Sequence, residues 1–136
     1  MADVVDKATR SRMMSGIKAK DTAPEMSVRR FLHSHGFRYR LHAKDLPGKP
    51  DIVLPKYCAV IFVHGCFWHQ HPGCKDVVLP KSNTKFWKDK LEGNVKRDAG
   101  CIEELGRLGW RCLVIWECET GYKKILNRLV RRVQRW

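Results

Sequence analysis

Apolar positions along the chain change period several times, and each change marks an element. Val28, Phe31 and Leu32 recur at helical spacing after Thr22-Ala-Pro-Glu25, which reads as a capping box with proline in the first turn. This predicts a helix to about His35, ended by Gly36. Phe37–Leu41, Asp51–Leu54 and Tyr57–Val63 read as three strands, separated by the turns Pro47-Gly48-Lys49-Pro50 and Pro55-Lys56. The third is apolar enough to be central in a sheet. A short helix capped by Thr84 carries Phe86 and Trp87, with Phe86 expected in the core, and a second helix runs from about Asn94 to Leu108 before Gly109. Trp110–Trp116 reads as another buried strand, and Tyr122–Trp136 as a basic amphipathic helix with Tyr122, Ile125, Leu126, Leu129, Val133 and Trp136 on one stripe. Residues 7–19 read as a weaker basic amphipathic helix. The order predicts a mixed α/β or α+β domain, residues 1–136, with helices flanking a short sheet.

Charge narrows the partner. The 136 residues carry a formal net charge of +13, with Lys and Arg spread along the whole chain. A surface of that kind suits a polyanion, nucleic acid first and an anionic membrane face second. No apolar run reaches the roughly 20 residues of a membrane span, and the N-terminus has no secretory h-region. The chain is therefore expected in the cytoplasm, where its six cysteines serve as metal ligands or buried thiols rather than disulfides. Cys58, Cys101 and Cys112 sit in strand or helix patterns and should behave as small hydrophobes.

The remaining thiols lie where the backbone turns. Cys66, His71 and Cys74 come from one loop, and Cys118 follows the last strand. Four such ligands close a tetrahedron around zinc and leave no open position, which makes the site structural. Three acids lean toward the interior: Asp51 opening a strand, Glu25 on the first helix, and Asp98 on the stripe of Val95, Ile102 and Leu105. In so basic a chain they suggest one shared cationic partner, either a divalent ion or an imidazolium. Either His64 or His69 could act as general base, shuttle a proton or stabilise charge. Phe67-Trp68, beside a ligand cysteine, cannot both point inward if the loop is pinned, so at least one ring is available to stack on bases.

These segments together resemble the very short patch repair (Vsr) DNA mismatch endonucleases. The resemblance runs through DKATRSRMMSGIKAKDTAPE, LPGKPDIV, VIFVHGCFWHQH, FWKDKLEGNVKRD and LGWRCLVIWEC. It implies a restriction-endonuclease-like fold and a nick on the 5′ side of the thymine in a T·G mismatch. It also implies that Asp51 coordinates magnesium with the main-chain oxygen of Val63. His69 would be the general base or its assistant, with Glu25, His64 and Asp98 supporting it. Phe67, Trp68 and Trp87 would form a wedge entering the major groove, while Met14, within a DNA-contacting arm of residues 1–20, would reach from the opposite side. The restriction-type E-x-K is replaced here by Phe62-Val63-His64, so histidine must stand in for the catalytic lysine. The implied partner is mismatched double-stranded DNA, with mismatch-repair proteins as further partners. The enzyme is expected to be a monomer at the bacterial nucleoid.

Overall fold

The computed structural model describes residues 22–75 and 77–135. The N-terminal helix expected at 7–19, with Met14 and the DNA-contacting arm, lies outside the described residues, as does Trp136. Among those described, α1 (Ala23–Ser34) leads into β1 (Arg40–Leu41), β2 (Ile52–Leu54) and β3 (Ala59–His64). Then follow α2 (Thr84–Arg107), β4 (Arg111–Trp116) and α3 (Lys123–Gln134). The sheet order is β1-β2-β3-β4. The first three strands form an antiparallel meander, and β4 joins β3 in parallel after the α2 crossover.

Alternation along the strands divides the core into two layers. Ile52, Leu54, Ala59, Ile61, Leu113 and Ile115 face α1 and α3, meeting Val28, Leu32, Leu126, Leu129, Val130 and Val133. Val53, Val60 and Phe62 face the other way, onto Leu105 and Ile102 of α2. The same parity turns His64 toward α2. Because β3 and β4 are parallel, both end at the same rim, and β2, being antiparallel, begins there. Asp51, the loop after β3 and the turn after β4 are thereby gathered at one end of the sheet, where α/β folds place their sites.

Several local expectations change. Residues 84–107 form one continuous helix because Gly93 is tolerated at a cost of about 1 kcal/mol inside a helix already anchored by Leu91 and Leu105. Asn83, in the left-handed region, precedes it, while the Thr84 hydroxyl donates to the carbonyls of Pro80 and Lys81. Phe86 is 59% exposed rather than in the core, since the inward face of that turn belongs to Leu91 and Trp87. Cys58 is also exposed, because the 3-10 turn Pro55–Tyr57 ends on it with φ 47° before β3 begins. The first strand shrinks to two residues, and Tyr122 stands out of the α3 stripe.

Arg111 closes the fold at the opposite end. Its guanidinium donates to the carbonyls of Arg132, Val133 and Arg135 at the end of α3, and to Tyr57. Helix C-termini leave carbonyls without intrahelical partners, and a cation there also suits the helix dipole. Arg111→Ala should lower unfolding free energy by about 2–3 kcal/mol, since hydrogen bonds to charged groups contribute ≈ 1.5–3 each and are partly replaced by water. Arg111→Lys should recover only part of this in urea denaturation, because an ammonium cannot span the same fork of carbonyls.

Candidate active site and metal centre

The loop after β3 is folded on itself by short-range hydrogen bonds. His69 N–H donates to the Gly65 carbonyl at 3.1 Å, His71 N–H to Cys66 at 2.9 Å and Cys74 N–H to His71 at 3.3 Å. These turns bring the donor atoms of Cys66, His71, Cys74 and Cys118 within 4.8 Å of one another. His71 Nδ1 lies 3.6 Å from Cys66 Sγ and 3.5 Å from Cys118 Sγ. A tetrahedral ion with metal–sulfur bonds of about 2.3 Å and metal–nitrogen bonds of about 2.0 Å requires donor separations near 3.5 Å, so the set fits zinc in size and chemistry. Cys118 is brought in by the 3-10 turn Glu117–Glu119 after β4. Glu117 accepts the Cys66 N–H at 3.0 Å, and the His71 ring stacks on Trp116 at 4.2 Å. Burial and neighbouring sulfurs push the Cys66 thiol up to about 12, and burial also raises Cys118. Without a cation the Cys66 thiol therefore holds its proton.

Beside this centre lies a cleft of about 270 Å³, lined among others by Lys49, Asp51, Val63, His64, His69 and Asp98. Asp98, on α2, meets His69 Nδ1 at 2.6 Å. The His69 ring stacks almost parallel on His64, 3.9 Å between centroids. His64 is 6% exposed, and its Nδ1 is buried with no hydrogen-bond partner among the described residues. Burial, then the nearby His69, lower it to about 4, so His64 is neutral at physiological pH.

On the other wall, Asp51 Oδ2 accepts the Val63 N–H at 2.7 Å. Burial pushes Asp51 up to about 6, against the pull of that hydrogen bond. Glu25, only 2% exposed, accepts from His42 Nε2 at 2.8 Å and Arg29 at 3.3 Å. Thr22 still caps α1 by accepting the Glu25 N–H, but the Glu25 carboxylate turns inward instead of completing a capping box. Gly48 could not be another residue: φ is +74°, and an added Cβ would lie 2.9 Å from that of Cys101 on α2.

Phe67, Trp68 and Trp87 form one half-buried aromatic group, with centroids 5.2 to 5.9 Å apart. Asn94 of α2 steadies it by donating to the Trp68 carbonyl at 3.1 Å.

The sequence of this chain matches the family described as DNA mismatch endonuclease Vsr over residues 2–76. It is 44% identical to the DNA mismatch endonuclease Vsr of Escherichia coli K12, over all of this chain and 88% of that protein. The chain belongs to the Vsr DNA mismatch endonuclease family. It is also 47% identical to the type II nicking enzyme V.NmeAIP of Neisseria meningitidis, over 98% of each chain. Identity to V.XorIIP of Xanthomonas oryzae, another type II nicking enzyme, is 45% over 98% of this chain and 97% of that one. Vsr membership makes the protein a DNA endonuclease of restriction-endonuclease-like fold, in agreement with the sheet and helices above.

Within this Vsr chain, the structure brings together Asp51, Val63, His64, His69 and Asp98 in one cleft, with Glu25 beside Asp51. It does not unite the three acids on one cation: Asp98 pairs with His69, whereas Glu25 and Asp51 surround His42. His42 was missed by the sequence reading, as were Lys49 in the cleft and Glu117 under the thiols. Only the strand register of the structure places His42 beside Asp51. Arg40 pairs with Val53 and Leu41 with Ile52, so the next pair in that antiparallel register is His42 with Asp51.

Zinc loading of metal-free protein should release protons as the thiols ionise, take up one equivalent per chain, and raise the melting temperature. Cys118→Ser should weaken zinc binding in a chelator competition. Unchanged affinity in that variant would remove Cys118 from the ligand set.

Proposed function

We propose that this chain nicks one strand of duplex DNA on the 5′ side of the thymine in a T·G mismatch, using a magnesium ion at Asp51. The observation that carries the reading is the His69–Asp98 pair facing Asp51 across one cleft. The names of the relatives, mismatch endonuclease and nicking enzyme, support mismatched DNA and a single-strand outcome, while the T·G choice comes from the family resemblance. The donor set fits a hard cation: carboxylate oxygens of half-buried Asp51 and buried Glu25 lie together, and desolvation without a cation disfavours the Asp51 charge. The main-chain oxygen of Val63 is assigned as a second ligand by the family resemblance.

Magnesium, when bound, polarises the scissile phosphate and lowers the pKa of a bound water. The chain supplies the rest. With Nδ1–H donated to Asp98, the Nε2 lone pair of His69 is the one available to take a proton from the attacking water. Asp98 fixes this tautomer and stabilises the imidazolium that follows, as a carboxylate does behind a catalytic histidine. His64, neutral beneath it, supports the ring without adding a second positive charge.

Zinc at the four-ligand centre is structural in this reading, since all positions are filled by protein. It fixes the loop that carries both His69 and Phe67-Trp68. The three rings wedge between base steps, and a mismatch, stacked and paired less well than a matched pair, resists this less. The net charge of +13 supplies salt-dependent affinity without sequence choice. Residues 1–20, with Met14, belong to the same DNA interface in this reading.

The test is nicking of labelled duplexes with T·G or T·A at one position, with and without magnesium. Nicking is expected only for T·G with magnesium. His69→Ala should lower the rate by about 10²–10⁴-fold, and Asp51→Asn should abolish it, each with folding and duplex binding retained. Inertness of folded, zinc-loaded protein across the set would overturn the reading. At limiting magnesium, the rate should rise with pH through about 6, because a proton on Asp51 competes with the cation. Saturating magnesium should move that rise to lower pH, and a midpoint indifferent to magnesium would exclude Asp51 as its ligand.

A further inference from the structure

The cleft chemistry uses Asp51 and Glu25 but leaves unexplained the histidine that stands between them. Glu25 has almost no solvent contact, and its Oε2 accepts from two donors, His42 Nε2 and Arg29. His42 is tied in a second way, its backbone N–H donating to the Asp51 carbonyl at 3.0 Å. One residue thus bridges both acids, by side chain to Glu25 and by main chain to Asp51. Its backbone lies in the left-handed region, φ 49°, a conformation uncommon for residues other than glycine but better tolerated by His, Asn and Asp. Donor atoms of Glu25, His42 and Asp51 all lie within 4.8 Å of one another. Two carboxylates that close repel each other, and Glu25 indeed raises Asp51 while His42 lowers it.

We propose that His42 is a positioning residue of the cutting centre, holding the Glu25 carboxylate beside Asp51 so that the two acids present oxygen donors together to a divalent cation. This rests on the reading of Asp51 as a metal-binding acid. The role is that of an outer partner, which orients a donor and is lost with a metal-affinity penalty of about 10–100-fold. What matters is an N–H aimed at Glu25 from a fixed backbone. A glutamine at this position can supply such a donor, a leucine cannot, and an asparagine is one methylene too short.

The experiment measures Mn²⁺ affinity of zinc-loaded, DNA-free protein by calorimetry, alongside nicking kinetics and thermal melting, for wild type, H42L, H42Q, H42N and D51N. H42L and H42N should weaken Mn²⁺ binding by about 10–100-fold and lower kcat similarly, with KM for the T·G duplex unchanged. H42Q should recover most of both. If H42L melts far below wild type, the comparison of H42Q with H42N decides. Wild-type Mn²⁺ affinity in H42L or H42N overturns the proposal, as does H42Q impaired as deeply as H42N. If D51N loses Mn²⁺ affinity and the His42 variants keep it, only this proposal falls. If D51N keeps its Mn²⁺ affinity, the reading of Asp51 falls with it.

Discussion

Parallel pairing of β3 with β4, in register from Ala59 opposite Arg111 to His64 opposite Trp116, is the constraint from which the rest of the site follows. It makes both strands end at one rim, so the loop after β3 and the turn after β4 meet. Only there can Cys118 join Cys66, His71 and Cys74, which lie more than forty residues earlier in the chain. Side chains alternate along a strand, so the same register aims Val60, Phe62 and His64 at α2. A slip of one residue would turn His64 onto the α1 side and part the His64–His69 stack. The crossover then brings α2 back over this face, and Asp98 meets His69.

Charge is distributed with the same economy. The chain is strongly basic, yet its interior acids are each matched to a specific donor: Asp98 to His69, Glu25 to His42 and Arg29, Asp51 to the Val63 amide. A buried carboxylate without such a partner would be costly. The thiols follow a related logic, since burial raises Cys66 and Cys118 and disfavours their thiolates unless a cation is near. The loop that brings these sulfurs together also carries His69 and the Phe67-Trp68 rings.

Much of this was legible in the residues. The central strands announced themselves as short apolar runs, and the thiols and imidazole marked a ligand set by chemistry and by position at element ends. That Asp98 required a partner followed from its place on an apolar stripe; which partner did not, because that depends on how α2 crosses the sheet. Gly93-Asn94 looked like a boundary between two helices, whereas packing of Leu91 and Leu105 carries one helix through it. Phe86 looked like core by composition alone, but the side of α2 it occupies faces out. His42 stayed hidden because β1 is only two residues long, too short for its pattern to fix a register without the structure.

The central claim is that His69, oriented by Asp98 on a loop pinned by the thiol centre, offers a free Nε2 to the cleft. Long-range ¹⁵N–¹H NMR of the histidine rings in zinc-loaded, DNA-free protein near neutral pH tests it most directly. The account predicts that the His69 tautomer carrying one proton holds it on Nδ1, and loss of that preference in Asp98→Asn. A His69 carrying its proton on Nε2, or one whose tautomer ignores Asp98, would contradict it.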